Sequence, residues 1–222
     1  LGVPHHILTW EGWDGTGNLQ DRARSARYAL MTDWARRQGI SILALAHTQD
    51  DQAETVLMRL SRAAGVDGLA GIPHRRMHHG ITLIRPFLDL TRQRLRSYLR
   101  SHGVPWADDP SNDDPRFQRI RLRHAAPALA ELGLTTQTLA EVARHMASAR
   151  EALDWYSFIA ARETVQLDAG DVLIDRKPFR ALPEEIARRL LVQSLCWIGG
   201  DHQPPRRDAV RDALAAIRAG KT

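Results

Sequence analysis

An α/β fold, with part of a parallel sheet followed by a mostly helical region, is what this sequence of 222 residues predicts. Three observations carry the prediction. A short, wholly apolar run, "SILAL" (41–45), reads as a strand buried on both faces. Helical stretches precede and follow it, as in a strand–helix–strand unit. Beyond Leu134 the pattern turns almost entirely helical, which places a domain boundary there: 1–134 and 135–222.

In chain order, "HHILTW" (5–10) reads as a strand and "EGWDGTGN" (11–18) as a glycine-rich loop. From Leu19 to Arg37, Ala23, Ala26, Leu30 and Trp34 share one helical face, and Gly39 stands where a helix C-cap is expected. After the strand 41–45, Thr48 lies three residues before Asp51, the spacing of a capping box. The following helix has Ala53, Val56, Leu57 and Leu60 as its buried stripe. "AAGVDGLAGIP" (63–73) is a turn-rich loop, and "HRRMHHG" (74–80) reads as an exposed loop with no trustworthy metal spacing. "ITLIRPF" (81–87) reads as a strand broken by Pro86, and a helix follows from Thr91 to Arg100. "VPWADDPSNDDP" (104–115) is a turn cluster. Helices are expected over 116–130, 136–166, 183–198 and 205–218, with one short strand at 171–175. Trp155, Tyr156 and Phe158 are read as core.

Composition narrows the function. Hydrophobic residues make up 43% and charged residues 26%, ordinary for a globular protein, and no apolar run is long enough for a membrane span. Nothing reads as a signal peptide, so the cytoplasm is the expected location. The single cysteine excludes an internal disulfide framework and a paired-thiol redox site. The net charge of +5 rests on 31 basic residues, nearly all arginine, the side chain suited to forked phosphate contacts. Nucleic acid is therefore a candidate partner.

The sharpest feature is "AHTQDDQAETVLMRLSR" (46–62), which sets Asp50, Asp51 and Glu54 in the first turns of a helix at a strand's end. Ligands of α/β sheets bind at such ends. Asp51 and Glu54 lie about 60° apart on the face opposite the apolar stripe, and Asp50 sits nearer its edge. Carboxylates there either stabilise the helix dipole or recruit a cation, whether Mg²⁺ or an ammonium group. Further on, "RFQRIRLRH" puts Arg116, Arg119 and Arg123 on one face, with Arg121 to the side. That is either a solvated face or a surface for an RNA backbone.

These stretches resemble the tRNA(Ile)-lysidine synthetase family of ATP-pyrophosphatases. "AHTQDDQAETVLMRLSRAAGVDGLAGIP" is similar to its H-x-x-D-D-x-x-E-T signature and the glycine-rich segment after it. "LQDRARSARY", "LIRPFLDLTRQRLRSYL" and "WADDPSNDDPRFQRIRLRHAAPAL" resemble three further segments, in order. The resemblance covers residues 1 to about 134 and implies an adenine nucleotide alpha hydrolase-like sheet. It also implies ATP- and Mg²⁺-dependent joining of L-lysine to C2 of the wobble cytidine of tRNA(Ile), through an adenylated cytidine. By motif position, Arg27, His47, Asp51 and Glu54 would be catalytic, with the two acids holding the lysine amine. Asp50, Arg116, Arg119, Arg121 and Arg123 would bind substrate, and no metal ligands are assigned. The pattern departs at Ala63 and Ile120, where the family has glycine and asparagine. The family's S-G-G-x-D-S pyrophosphate loop does not occur, so the chain is read as beginning after it and as inactive alone. A tRNA-thiolating enzyme of the same group and a non-catalytic RNA-binding module are the other readings. The residues do not fix an oligomeric state, a homodimer included.

Overall fold

The computed structural model describes residues 2–13, 15–17, 19–107, 118–200 and 204–220. Two compact units divide the chain, Leu1–His145 and Met146–Thr222.

The first unit is built on helix α1 (Leu19–Arg37), strand β1 (Ile42–Ala44), helices α2 (Gln49–Leu60) and α3 (Val66–Leu69), and strands β2 (Arg75–His78) and β3 (Ile81–Ile84). Helices α4 (Arg92–Ser101) and α5 (Gln118–Glu131) follow. The sheet is mixed, in the order β1-β3-β2. β1 runs parallel to β3 with Leu43 opposite Leu83, and β2 returns antiparallel with Arg76 opposite Leu83. α1 ends as its sequence predicts: Gly39 adopts φ 67°, and Ile40 N donates to Ala35 O at 2.8 Å. Its most buried positions are Thr32 and Ala35, and the expected line Ala23, Ala26, Leu30, Trp34 is half-buried beside them. The core under α1 joins Ala35 to Ile81 and Leu83, with Tyr28, Trp34, Leu43 and Leu45 around them.

Four expectations for this region change. β1 is not buried on both faces: it is an edge strand of the described sheet, with Ile42 54% exposed and Ala44 exposed. "HHILTW" is not a strand among the described residues; it is exposed, with Ile7 82% accessible, although the His6 and Trp34 rings meet at 5.0 Å. A β-rich pattern without a neighbouring strand has no ladder to join. The "HRRMHHG" loop is instead strand β2, because a two-residue turn at His79 and Gly80, both at positive φ, folds it back on β3. Leu60 is 54% exposed, since α2 frays into a turn just after it. Only Ala53 and Val56 of that stripe are fully buried, against Leu139 and Ala143 with Leu57 alongside.

Those last contacts also bear on the boundary. Helix α6 (Thr136–Thr164) gives its first turns to the first unit, so the units divide within it, later than the change of pattern at Leu134.

The second unit holds the rest of α6, the antiparallel hairpin β4 (Val165–Asp168) and β5 (Asp171–Ile174), and helices α7 (Arg176–Ala181), α8 (Glu184–Gly199) and α9 (Arg207–Ala219). The sequence reading ran a helix through 166 and saw only one strand; Ala169 and Gly170, both at positive φ, turn the chain into a hairpin there. The core comprises Ala160, Phe179, Ile186, Ala187, Leu190, Leu191, Val210 and Leu214. Trp155, Tyr156 and Phe158, expected in a core, are 66%, 51% and 54% exposed, because α6 buries its Ser157/Ala160 side instead.

Candidate active site

The site grows from the end of β1. Leu45 still donates its N–H to Ile84 O at 2.8 Å, and two residues later His47 leads into Thr48, the N-cap of α2. Asp51 Oδ2 accepts from both Thr48 N and Thr48 Oγ1 at 2.8 Å. One carboxylate oxygen thus closes the cap the sequence announced. The other, Oδ1, faces Arg92 and Arg119 at 3.8 Å each.

Asp50 turns elsewhere. Its Oδ2 accepts from Arg92 N at 2.7 Å, while Gln49 N donates to Leu90 O at 2.9 Å. The first turns of α2 and α4 are thereby fastened together. Asp50 serves as a tether for α4, where sequence reading expected a substrate ligand.

Glu54 is the deepest of the three acids, 6% exposed. Its Oε1 accepts from Arg123 Nε at 2.6 Å and lies 3.7 Å from Arg92 Nη2. Its Oε2 is buried with no hydrogen-bond partner among the described residues. A buried carboxylate oxygen without a donor is costly, and such a position calls for a ligand. Beside it opens a crevice of about 680 Å³, polar at the end formed by Asp50, Glu54, Arg92 and Arg123 and apolar along Ala53, Leu57, Leu122 and Leu129.

Electrostatics follow from the crowding of arginines. Burial by itself would raise the Asp51 carboxyl, but the Thr48 hydrogen bonds and the charges of Arg92 and Arg119 outweigh it and hold it below the usual carboxylate range. His47 moves down from the ordinary histidine value: burial leads, Arg85, Arg24 and Arg119 add to it, and Asp51 opposes. Its ring is therefore neutral at pH 7, with Nδ1 buried and unpartnered among the described residues.

A pH prediction follows, with its sign. The unfolded chain protonates His47 near pH 6.5, the folded chain only at lower pH, so the unfolded state binds more protons in between. The contribution of His47 to stability is whole above that pH and falls as pH drops from about 6.5 towards the folded value. Urea unfolding at several pH values is expected to show stability declining across this window, and less steeply in His47→Asn. Equal slopes in the two proteins would remove His47 as the cause.

The structure gathers His47, Asp51, Glu54, Arg119 and Arg123, and it sets Asp50 beside them. Arg119 and Arg123 leave α5 towards the acids, with side chains 34% and 26% exposed, where the sequence suggested an outward RNA-binding face. Arg27 is exposed on α1 and makes no ion pair with the described residues. Arg121 is exposed on α5. Arg116 lies outside the described residues. Ile120, standing where the family has asparagine, is buried at 4% exposure.

Three arginines escaped the sequence reading. Arg92 touches both Asp51 and Glu54; Arg24 acts on His47 from α1. Arg85 is 5% exposed and donates from Nη1 to Pro73 O at 2.7 Å. A sign for Arg92 was present: a basic residue in the first turn of a helix opposes the dipole and needs an acid from elsewhere. The loop that ends at Pro73 is also pinned by Gln52, which bonds Ile72 at both N–H (2.6 Å) and C=O (3.1 Å). Gly71 closes over that amide at φ 68°, and a Cβ there would stand 2.5 Å from Gln52 Oε1.

Comparison with known proteins bears directly on this arrangement. The PP-loop domain family matches residues 1–129. The tRNA(Ile)-lysidine synthase of Methylobacterium nodulans (strain LMG 21967 / CNCM I-2342 / ORS 2060) is 42% identical over 234 residues, which is 99% of this chain and 67% of that protein. The chain belongs to the tRNA(Ile)-lysidine synthase family. Another tRNA(Ile)-lysidine synthase, from Ruegeria pomeroyi (strain ATCC 700808 / DSM 15171 / DSS-3), is 58% identical over 218 residues, 98% of this chain and 52% of that protein. The relative from Wolbachia pipientis wMel is 38% identical over 90% of this chain and 47% of its own length. The chain thus spans about half to two thirds of the length of these lysidine synthases. Among the described residues no helix is long and apolar enough to cross a membrane.

Proposed function

We propose that this chain supplies the lysine-accepting part of a tRNA(Ile)-lysidine synthase, in which L-lysine is joined to C2 of the wobble cytidine of tRNA(Ile) through an adenylated intermediate. The observation that carries the reading is Glu54: a nearly fully buried carboxylate with a free Oε2. It lines a crevice that also offers the apolar side chains of Ala53, Leu57, Leu122 and Leu129. An alkyl ammonium suits that combination, with its methylenes on the leucines and its charge on the carboxylate. Arg92 and Arg123 occupy part of the negative charge at Oε1, and the buried Oε2, which has no hydrogen-bond partner among the described residues, is the oxygen left for an incoming cation.

An ammonium must lose a proton before its nitrogen attacks. His47, neutral at pH 7 at the end of β1, is the base assigned to that proton by motif position, and Asp51, ionised, adds to the negative charge that attracts the cation. Arg27, exposed on α1, is assigned to the reacting centre by motif position alone. The helical residues 135–222, with the exposed Arg121, are assigned to tRNA recognition, and the cytoplasm is the location proposed for the reaction.

ATP and Mg²⁺ belong to the proposed reaction as co-substrate and its counter-ion. The PP-loop family match over residues 1–129 supports ATP binding. The sequence has no S-G-G-x-D-S stretch, and among the described residues no group of three or more His, Cys, Asp or Glu is placed to hold a metal ion. The acids of α2 are turned to N–H groups and guanidiniums instead. No step is assigned through either group.

The test is mass spectrometry of tRNA(Ile) after incubation with ATP, lysine and the natural polypeptide carrying this sequence. Lysidine at the wobble position is the expected product. A thiolated cytidine, or unmodified tRNA bound without turnover, would replace this reading with another chemistry or with a binding role.

A further inference from the structure

An acid-free arginine segment beside the site enters the chemistry above only through its first arginine, Arg92. Between Leu90 and Ala107 there are four arginines, 92, 94, 96 and 100, and no Asp or Glu. α4 carries no acid in its first turn, where carboxylates stabilise a helix and arginines oppose its dipole. Its start is held by other means: Thr91 Oγ1 accepts from Arg94 N at 3.1 Å, and Asp50 of α2 accepts from Arg92 N at 2.7 Å. The helix dipole accounts for Arg100 in the last turn and not for the arginines of the first turn.

Their arrangement is directional. Arg92, Arg96 and Arg100 recur every four residues and share one stripe, about 12 Å long along the axis. Arg92 heads the stripe on Asp51 and Glu54. The guanidinium carbons of Arg96 and Arg100 stand 5.9 and 5.8 Å from the centre of the Trp106 ring, both in cation–π range. Trp106 is 38% exposed, and both arginines are exposed. On the opposite side of α4, Tyr98, 60% exposed, lies against His102 with ring centres 4.2 Å apart and takes no part in the stripe. The indole thus helps to restrain two cationic forks, which lowers the entropy lost when they grip an anion.

We propose that Arg96, Arg100 and Trp106 form a docking track for single-stranded RNA, which delivers the strand along α4 to the carboxylates at its head. The two guanidiniums take successive backbone phosphates, and the part-exposed tryptophan ring favours unpaired bases over a closed duplex. The proposal rests on the RNA-acting function above and adds the surface that guides the strand.

Fluorescence anisotropy of a labelled RNA hairpin with an unpaired loop, titrated with the whole chain at several salt concentrations, tests it. Each lost phosphate contact flattens the log–log salt slope by roughly 0.7, so Arg96→Gln/Arg100→Gln is expected to flatten it by about 1.4. Trp106→Ala is expected to weaken binding several-fold at unchanged charge, with Trp106→Phe recovering most of the loss. A fully paired duplex of equal length is expected to bind more weakly than the hairpin. A wild-type slope in the double variant, or equal affinity for the duplex, overturns the track and leaves the lysidine reading standing. Failure of the unaltered chain to bind the hairpin at all overturns the track, and lysidine formation on tRNA then decides the larger reading separately.

Discussion

Glu54→Gln is expected to reduce lysine-dependent ligation by about 10²–10⁴-fold in the natural polypeptide carrying this sequence, the range typical of a lost acid–base or charge partner. The substitution keeps the shape of the side chain and removes its charge. Two things change together. The buried Oε2, with no donor among the described residues, no longer attracts an ammonium. Arg123, bound to Oε1 at 2.6 Å, keeps a hydrogen-bond acceptor and loses its counter-charge. The second effect costs stability, about 1.5–3 kcal/mol for a charged hydrogen bond of this kind. Urea unfolding measures that loss, and assays are then run where the variant is fully folded. The signature of the proposed role is a steep rise in the KM for lysine. An unchanged lysine dependence in a folded variant would make Glu54 a structural partner of Arg123 and Arg92, and the ammonium would have to be held elsewhere.

Phe179→Ala is expected to lower the unfolding free energy by about 3–5 kcal/mol, a large fraction of the stability of a small unit. Phe179 is 1% exposed on the short helix α7, among Ala160, Ile186, Leu190, Val210 and Leu214. α7 is only six residues long and carries no other buried residue. Its place rests on that one ring and on the Asp175 cap, whose Oδ1 accepts from Lys177 N at 3.0 Å. The midpoint of urea denaturation is expected to fall with the slope unchanged. Leu167→Ala, at a position 66% exposed, is the control and should stay within about 0.5 kcal/mol of the parent. A loss below about 1 kcal/mol for Phe179→Ala would mean that α7 relaxes into the space and that the core has no fixed shape there.

The signals that were local proved readable. Thr48 and Asp51 announced a capped helix start, and the structure closes that cap with two 2.8 Å bonds. Gly39 announced the end of α1, and it ends there in the left-handed conformation. The strand 41–45 is there as β1, lying parallel to the strand that "ITLIRPF" marks. The alternation of strand and helix followed by helices was enough for the α/β assignment, and the signature at 46–62 was enough for the family.

Other features depended on what each segment finds to pack against. "HHILTW" has strand composition and no neighbouring strand among the described residues, whereas Arg75–His78, polar and unpromising, becomes a strand because β3 lies beside it. Trp155 and Phe158 share the helical spacing of core residues, yet α6 is held in place by Ser157 and Ala160. The carboxylates show the same division most sharply. Sequence placed Asp50, Asp51 and Glu54 together through helix geometry alone. Only the tertiary structure decided that Asp50 holds α4, Asp51 holds its own cap, and Glu54 meets Arg123 from 69 residues away. Backbone periodicity sets which side of a helix a charge occupies. The partner of that charge is set by whichever distant element packs there, since a buried ion is tolerated only where an opposite one arrives with it.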